Sequence, residues 1–160
     1  MFRRKRLVPY LVMLGMIAGS SGAALAATGH DHAAGSAPVA EMVLNNGQKW
    51  QTDDALRKGM TEIRSVVADA LHPIHEGRFA AADFGTLADK VQEHTDFIVA
   101  NCKLPADADL QLHFAIAQIL DGVTAMKEEA GQDQGVVHVI QALNAYGEHF
   151  DHPGWVPLSH

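Results

Sequence analysis

Four stretches of the chain repeat apolar residues every three or four positions, and almost nothing alternates with the two-residue period of a strand. The first stretch spans about 52–71, with Leu56, Met60, Ile63, Val67 and Leu71 on one stripe. Thr52, Asp53 and Asp54 supply its cap and acidic first turn, and Pro73 is expected to end it. The second spans about 83–101, with Phe84, Leu87, Val91, His94 and Ile98. The third follows Pro105 over about 106–130 and carries two adjoining stripes. One is Leu112, Ile116, Ile119, Val123 and Met126; the other is Leu110, His113, Ala117 and Leu120. Gly131 stops it. The fourth spans about 133–149, with Val136, Ile140, Leu143, Gly147 and Phe150, closed by Pro153-Gly154. Each such helix must bury one face. Four of them on short connections predict an all-α, antiparallel up-down-up-down four-helix bundle.

The helices follow a stretch of a different kind. Arg3, Arg4, Lys5 and Arg6 precede an apolar run from Leu7 to Ala18, and Ala24-Leu25-Ala26 is an A-x-A cleavage site. Residues 1–26 therefore read as a signal peptide; the competing reading, an uncleaved anchor, is weakened by Gly15, Gly19, Ser20, Ser21 and Gly22. Residues 27–46 are small and polar with no apolar period, so they read as a flexible segment ahead of a bundle over 47–160. The expected location is the periplasm. Cleavage removes four of the twelve Lys and Arg and none of the nineteen Asp and Glu, taking the formal charge from −7 to −11. An acidic chain argues against nucleic-acid or anionic-membrane partners. Cys102 is the only cysteine, so no disulfide closes within the chain.

All ten histidines lie beyond the signal. Imidazole is the commonest metal ligand. In an up-down-up-down bundle His72, His75 and His138 fall near one pole, and Trp50, Cys102, His149, His152, Trp155 and His160 near the other. Counting 1.5 Å per residue, Met60, His94 and His113 each lie roughly 10–12 Å from the second pole. All three sit on or beside apolar stripes, so they are expected to share one layer of the core. His149 and His152, spaced i,i+3 at a fraying helix end, form a second pair. The expected metal ligands are thus Met60, His94, Cys102, His113, His149 and His152. Imidazoles with soft sulfur favour copper. Against each stands an ordinary role: core filler for Met60, a buried thiol for Cys102, satisfied, partly buried histidines for His94 and His113, and a solvated helix terminus for His149 and His152. A chain cut after Ala27 would also begin Thr28-Gly29-His30, a square-planar nitrogen set for Cu(II) or Ni(II).

No C-x-x-C-H, H-E-x-x-H or Glu-x-x-His occurs, which removes covalent haem, zincin and ferritin-like di-iron chemistry. Nor is there a G-x-S-x-G or a phosphate loop. No enzymatic activity is expected.

Two resemblances add to this. LQLHFAIAQILDGVTAMKEEAG and QALNAYGEHF resemble the matching half of the periplasmic four-helix cytochrome b, a relative of cytochrome c-prime. Met60, in LRKGMTEIRSVV, takes the setting of that family's axial methionine. The resemblance implies b-type haem and electron transfer, but the family's axial histidine follows Asn-Ala-Tyr, and here Gly147 follows Asn144-Ala145-Tyr146. The motifs KWQTDDALRKGM, NCKLPADADLQLH and YGEHFDHPGW also resemble a group of small secreted proteobacterial proteins over residues 44–157, which implies little about activity. The expectation is a non-enzymatic periplasmic bundle that binds a transition metal, with a haem protein and a ligand-free interaction module as alternatives.

Overall fold

The computed structural model describes residues 37–159. Residues 1–26, expected to be a signal peptide, residues 27–36 and His160 lie outside that range, and with them the expected site at Thr28-Gly29-His30. The four expected helices are present: α1 over Asp54–His75, α2 over Ala81–Asn101, α3 over Ala106–Lys127 and α4 over Gln132–His149. They form an all-α four-helix bundle in which α1 packs on α2 and α4, and α3 packs on α2 and α4. The core is one cluster drawn from all four, centred on Leu56, Met60, Ile63, Ile98, Ile119, Met126, Ile140, Leu143 and Tyr146.

Local chemistry sets the helix ends. The Asp53 carboxylate accepts from the Leu56 N–H at 2.7 Å and caps α1. Asp83, in the first turn of α2, reaches back to accept from the Ala80 N–H at 2.9 Å. Gly131, at φ 102°, precedes α4 in a conformation that other residues resist. α1 runs past Pro73 to His75, one turn beyond its expected end. Pro73 removes one backbone donor near the terminus, where the cost of a lost helical bond is smallest, and Ile74 gains packing against the core.

Glycines bring helices together at two places. In α3 and α4, a Cβ on Gly122 would stand 2.6 Å from the Gly135 carbonyl oxygen, and a Cβ on Gly135 would stand 2.6 Å from that of Gly122. Between α1 and α2, a Cβ on Gly59 would run into Ile98.

Two departures from expectation matter for the site. First, the segment expected to be flexible is docked from residue 37 onward. Pro38–Glu41 form a 3-10 turn, and Met42 is buried. Two buried glutamines of α3 hold it: the Val39 N–H donates to Gln118 Oε1 and the Val43 N–H to Gln111 Oε1. The polar look of 27–46 conceals this because the ordering bonds are long-range. Second, there are two short strands. β1, Trp50–Gln51, pairs in parallel with β2, Phe150–Asp151, tying the chain entering α1 to the chain leaving α4.

The close approach of α3 and α4 yields a contrast. Gly122→Ala should destabilise by about 2 kcal/mol, because neither backbone can yield easily. Gly85→Ala in α2, where an added Cβ meets nothing within 4 Å, should stabilise by about 0.5 kcal/mol. Urea unfolding of both variants measures this; equal effects would contradict the geometry.

Candidate functional site

The three sequence motifs converge on one pole of the bundle, and Asp53 is the joint between the first two. Its carboxylate caps α1 and also accepts from the Lys103 N–H at 2.6 Å, in the connection between α2 and α3. The Cys102 thiol lies beside the same carboxylate. Burial alone would raise this carboxyl; the Leu56 and Lys103 N–H groups, the thiol and Arg57 outweigh that and hold it below its ordinary 3.8. The same contact acts on the thiol. Burial, then the Asp53 charge and hydrogen bond, push Cys102 up to about 12. Cys102 is therefore a protonated donor, neither thiolate ligand nor nucleophile.

Thr52 joins the first motif to the third. Its hydroxyl donates to the Asp151 carbonyl at 2.6 Å, while Arg57 donates to the Thr52 carbonyl and hydroxyl, both at 2.8 Å. Lys49 donates to the Gly147 carbonyl. Above this frame lies an aromatic group. Tyr146 is wholly buried, stacked on Phe150 at 5.2 Å and edge-on to Trp155 at 4.9 Å. Its hydroxyl lies 2.9 Å from His152 Nδ1. Burial drives the phenol well above its ordinary range, so it keeps its proton. Burial, then the nearby Arg57 cation, lowers His152, with Asp151 opposing.

The sequence His152-Pro153-Gly154-Trp155 explains the arrangement. The Trp155 N–H donates to the His152 carbonyl at 3.1 Å, and Gly154 has φ 80°. That is a type II turn, with proline at its second position and glycine where φ must be positive. Its first and fourth side chains emerge together, so the His152 and Trp155 rings sit 4.9 Å apart. The chain then runs back along the bundle. Asn144 holds Leu158 by two hydrogen bonds of 2.9 Å, and Arg64 Nε donates to the Val156 carbonyl.

The six expected ligands fall in different surroundings. Met60 is fully buried in the apolar core. His94 is half-buried and lines an outer groove between α1 and α2 with Lys58, Glu62, Glu93 and Phe97. His113 lies on the exposed face of α3, its side chain 67 % accessible, with Nδ1 2.7 Å from the Asp109 carbonyl. The expected core layer of Met60, His94 and His113 is thus corrected: α3 turns its other stripe inward and buries Gln111 and Gln118 there, leaving Leu110 and His113 outside. His149 Nδ1 lies 2.8 Å from the Ala145 carbonyl. α4 ends at His149 and the chain becomes extended, so His152 is carried away from it and onto Tyr146. Among the described residues, no group of three or more His, Cys, Asp or Glu is placed to hold one metal ion.

A haem pair fares no better. Position 147 is glycine, and any Cβ there would run into the Trp155 indole. The place where the cytochrome resemblance would put an axial imidazole is sealed by tryptophan, so the residues present do not fit haem.

Asp53 as a joint, Arg57, Tyr146 and the two glutamines were not among the expected site residues; nor was Trp155, although the expected topology placed it at this pole. Only the Thr52-Asp53 cap and the Pro-Gly turn left a local signal.

The joint at Asp53 makes two predictions. Asp53→Ala should cost about 2 kcal/mol at neutral pH, from a lost cap and an orphaned backbone N–H. Because the folded carboxyl titrates below its unfolded value, this contribution is complete above about pH 4 and fades as pH falls through the folded pKa. Urea unfolding of both proteins across that range should show the gap closing. Iodoacetamide at pH 8 should label Cys102 at least about a hundredfold more slowly in the native protein than in urea; equal rates would remove the thiol–carboxylate contact.

Comparison with known proteins adds no further constraint: no protein-family model matches the chain, and no curated protein or solved structure is significantly similar to it.

Proposed function

We propose that this protein is a non-enzymatic periplasmic module that binds a protein partner and needs no resident metal or haem. The observation that carries this reading is a groove of about 340 Å³ beside the start of α3. Val43, Leu44 and Trp50 form one wall; Leu110 and Gln111 form the other. Val43 is 57 %, Leu44 41 % and Leu110 58 % exposed, three of the five large apolar side chains that face solvent among the described residues. Such residues scattered singly are ordinary; gathered in one groove they mark a contact surface.

The groove is also held in shape. Asn45 and Gln48 exchange backbone hydrogen bonds of 2.8 and 3.0 Å around Asn46 and Gly47, both at positive φ. This is a type I′ turn with its Asn-Gly pair. Trp50 Nε1 donates to the Val43 carbonyl at 2.7 Å, and Gln111 holds the Val43 N–H at 2.8 Å. A surface fixed in advance loses little freedom when it binds. The charged group lining the groove is Asp107, on a chain of formal charge −7. The fitting partner is a protein segment with apolar side chains flanked by a basic residue.

The transition-metal reading, copper included, has less support. It relies on side chains that lie on different faces, one of them a protonated thiol. No described helix is long and apolar enough to cross a membrane.

Photo-crosslinking in native periplasm tests the groove. A photoreactive residue at Leu110 should give a discrete adduct that is lost with Asp107→Lys, while one at the exposed Val99 on α2 gives none. Identical adducts from both positions, or none from Leu110, would overturn the reading. Copper titration of the secreted protein should show affinities unchanged within about twofold by His94→Ala or His113→Ala; a tenfold loss, or about 1.4 kcal/mol, would restore the core metal site.

A further inference from the structure

We propose that the notch between α1 and the C-terminal turn is a binding site for a carboxylate group. The notch has a volume of about 120 Å³ and is lined by Thr61 and Arg64 of α1 and by His152, Gly154, Trp155 and Val156. It lies on a different set of residues from the apolar groove, so either assignment can fail without the other.

Its lining is made of donors. No carboxylate lines it, although the chain as a whole is strongly acidic. Arg64 uses Nε to hold the Val156 carbonyl and forms no ion pair among the described residues, which leaves the rest of its guanidinium without a counter-charge. Tyr146 fixes the histidine. We assign the protonated phenol as donor to Nδ1 at 2.9 Å, which puts the neutral imidazole's own proton on Nε2. Nε2 lies 3.5 Å from Thr61 Oγ1, at the limit of a hydrogen bond, and so is readily drawn to a stronger acceptor.

The charges around the imidazole are settled by their neighbours. Arg57, from α1, is engaged with Thr52 and Asp54. Asp151, from β2, lies toward Gln51 Nε2 at 3.4 Å. Neither lines the notch. What remains is a guanidinium, an N–H and a hydroxyl around an opening with an indole and a valine at its edge. A guanidinium matches the two oxygens of a carboxylate with parallel hydrogen bonds. The volume suits a carboxylate bearing a short aliphatic group. That group belongs either to a small monocarboxylate or to the C-terminus of a peptide, and the chemistry recognised is the same.

The two tryptophans provide the readout. Trp155 lines the notch, and Trp50 lies in the other groove as an internal reference. Indole N–H resonances of the full secreted protein are followed while propionate, propionamide, or a valine-terminated tripeptide with free or amidated C-terminus is added at constant chloride. Propionate or the free-acid tripeptide should shift Trp155 saturably, with a dissociation constant on the order of 1–10 mM, and leave Trp50 unmoved. Propionamide and the amidated peptide should not. Saturation by propionate identifies a small monocarboxylate as sufficient; saturation by the free-acid peptide alone identifies a chain terminus. Arg64→Gln should weaken binding about tenfold or more, and Arg64→Lys should retain part of it. Thr61→Val, which leaves the Arg64–Val156 contact in place, should weaken it by a smaller factor. No saturable shift, an equal response to the amides, or equal affinity in Arg64→Gln with the fold retained would overturn the proposal.

Discussion

The Asp53 carboxylate is where the bundle is closed. A four-helix bundle of this size gains most of its stability from its apolar core, but a core does not by itself fix how the helix ends meet. Asp53 does so with one side chain: it caps α1 through Leu56, takes the Lys103 N–H from the connection between α2 and α3, and faces the Cys102 thiol. The chain around it then has a defined path. Thr52 reaches Asp151, β1 pairs with β2, and the end of α4 is set beside the start of α1. Both surfaces discussed above depend on that path. The apolar groove needs Trp50 held against Val43, and the notch needs His152 held against α1.

The helices were legible because their signal is local and repeated. Capping residues, apolar stripes and the Gly131 and Pro105 boundaries each lie within a turn or two of the structure they specify. The site was not legible because what decides it is which of two stripes on α3 turns inward. Leu112, Ile119, Val123 and Met126 won, taking Gln111 and Gln118 with them, since both glutamines find partners: Val43 for one, and Val39, His138 and Gln141 for the other. A buried glutamine with its hydrogen bonds met costs little. Nothing near Gln118 in the sequence announces a donor 79 residues away at Val39. The same inward choice left His113 and Leu110 outside, which removed one expected metal ligand and created one wall of the groove.

Cys102 shows how a single contact can change a residue's chemistry. A lysine ammonium close to a thiol lowers its pKa. Lys103 contributes its backbone N–H, not its ammonium, and it gives this to Asp53. The thiol next to it faces the same carboxylate and is driven upward instead. A lone cysteine in an oxidising compartment invites intermolecular disulfides. A thiol held protonated in this way is a slow partner in disulfide exchange, and the carboxylate that raises it is the one that caps α1.

The histidine-rich end illustrates why spacing is insufficient to define a metal site. His149 and His152 have the i,i+3 relation that places two imidazoles on one helical face. That relation holds only while the backbone is helical, and α4 stops at His149. Over the next three residues an extended chain advances roughly 10 Å, against roughly 4.5 Å in a helix. His149 stays back on the Ala145 carbonyl, while His152 is delivered to Tyr146 by the Pro-Gly turn. The turn brings a histidine and a tryptophan together where the helix would have brought two histidines together. It converts a set of metal-ligand residue types into hydrogen-bond donors around a notch, and so favours an anionic ligand over a metal cation at this pole.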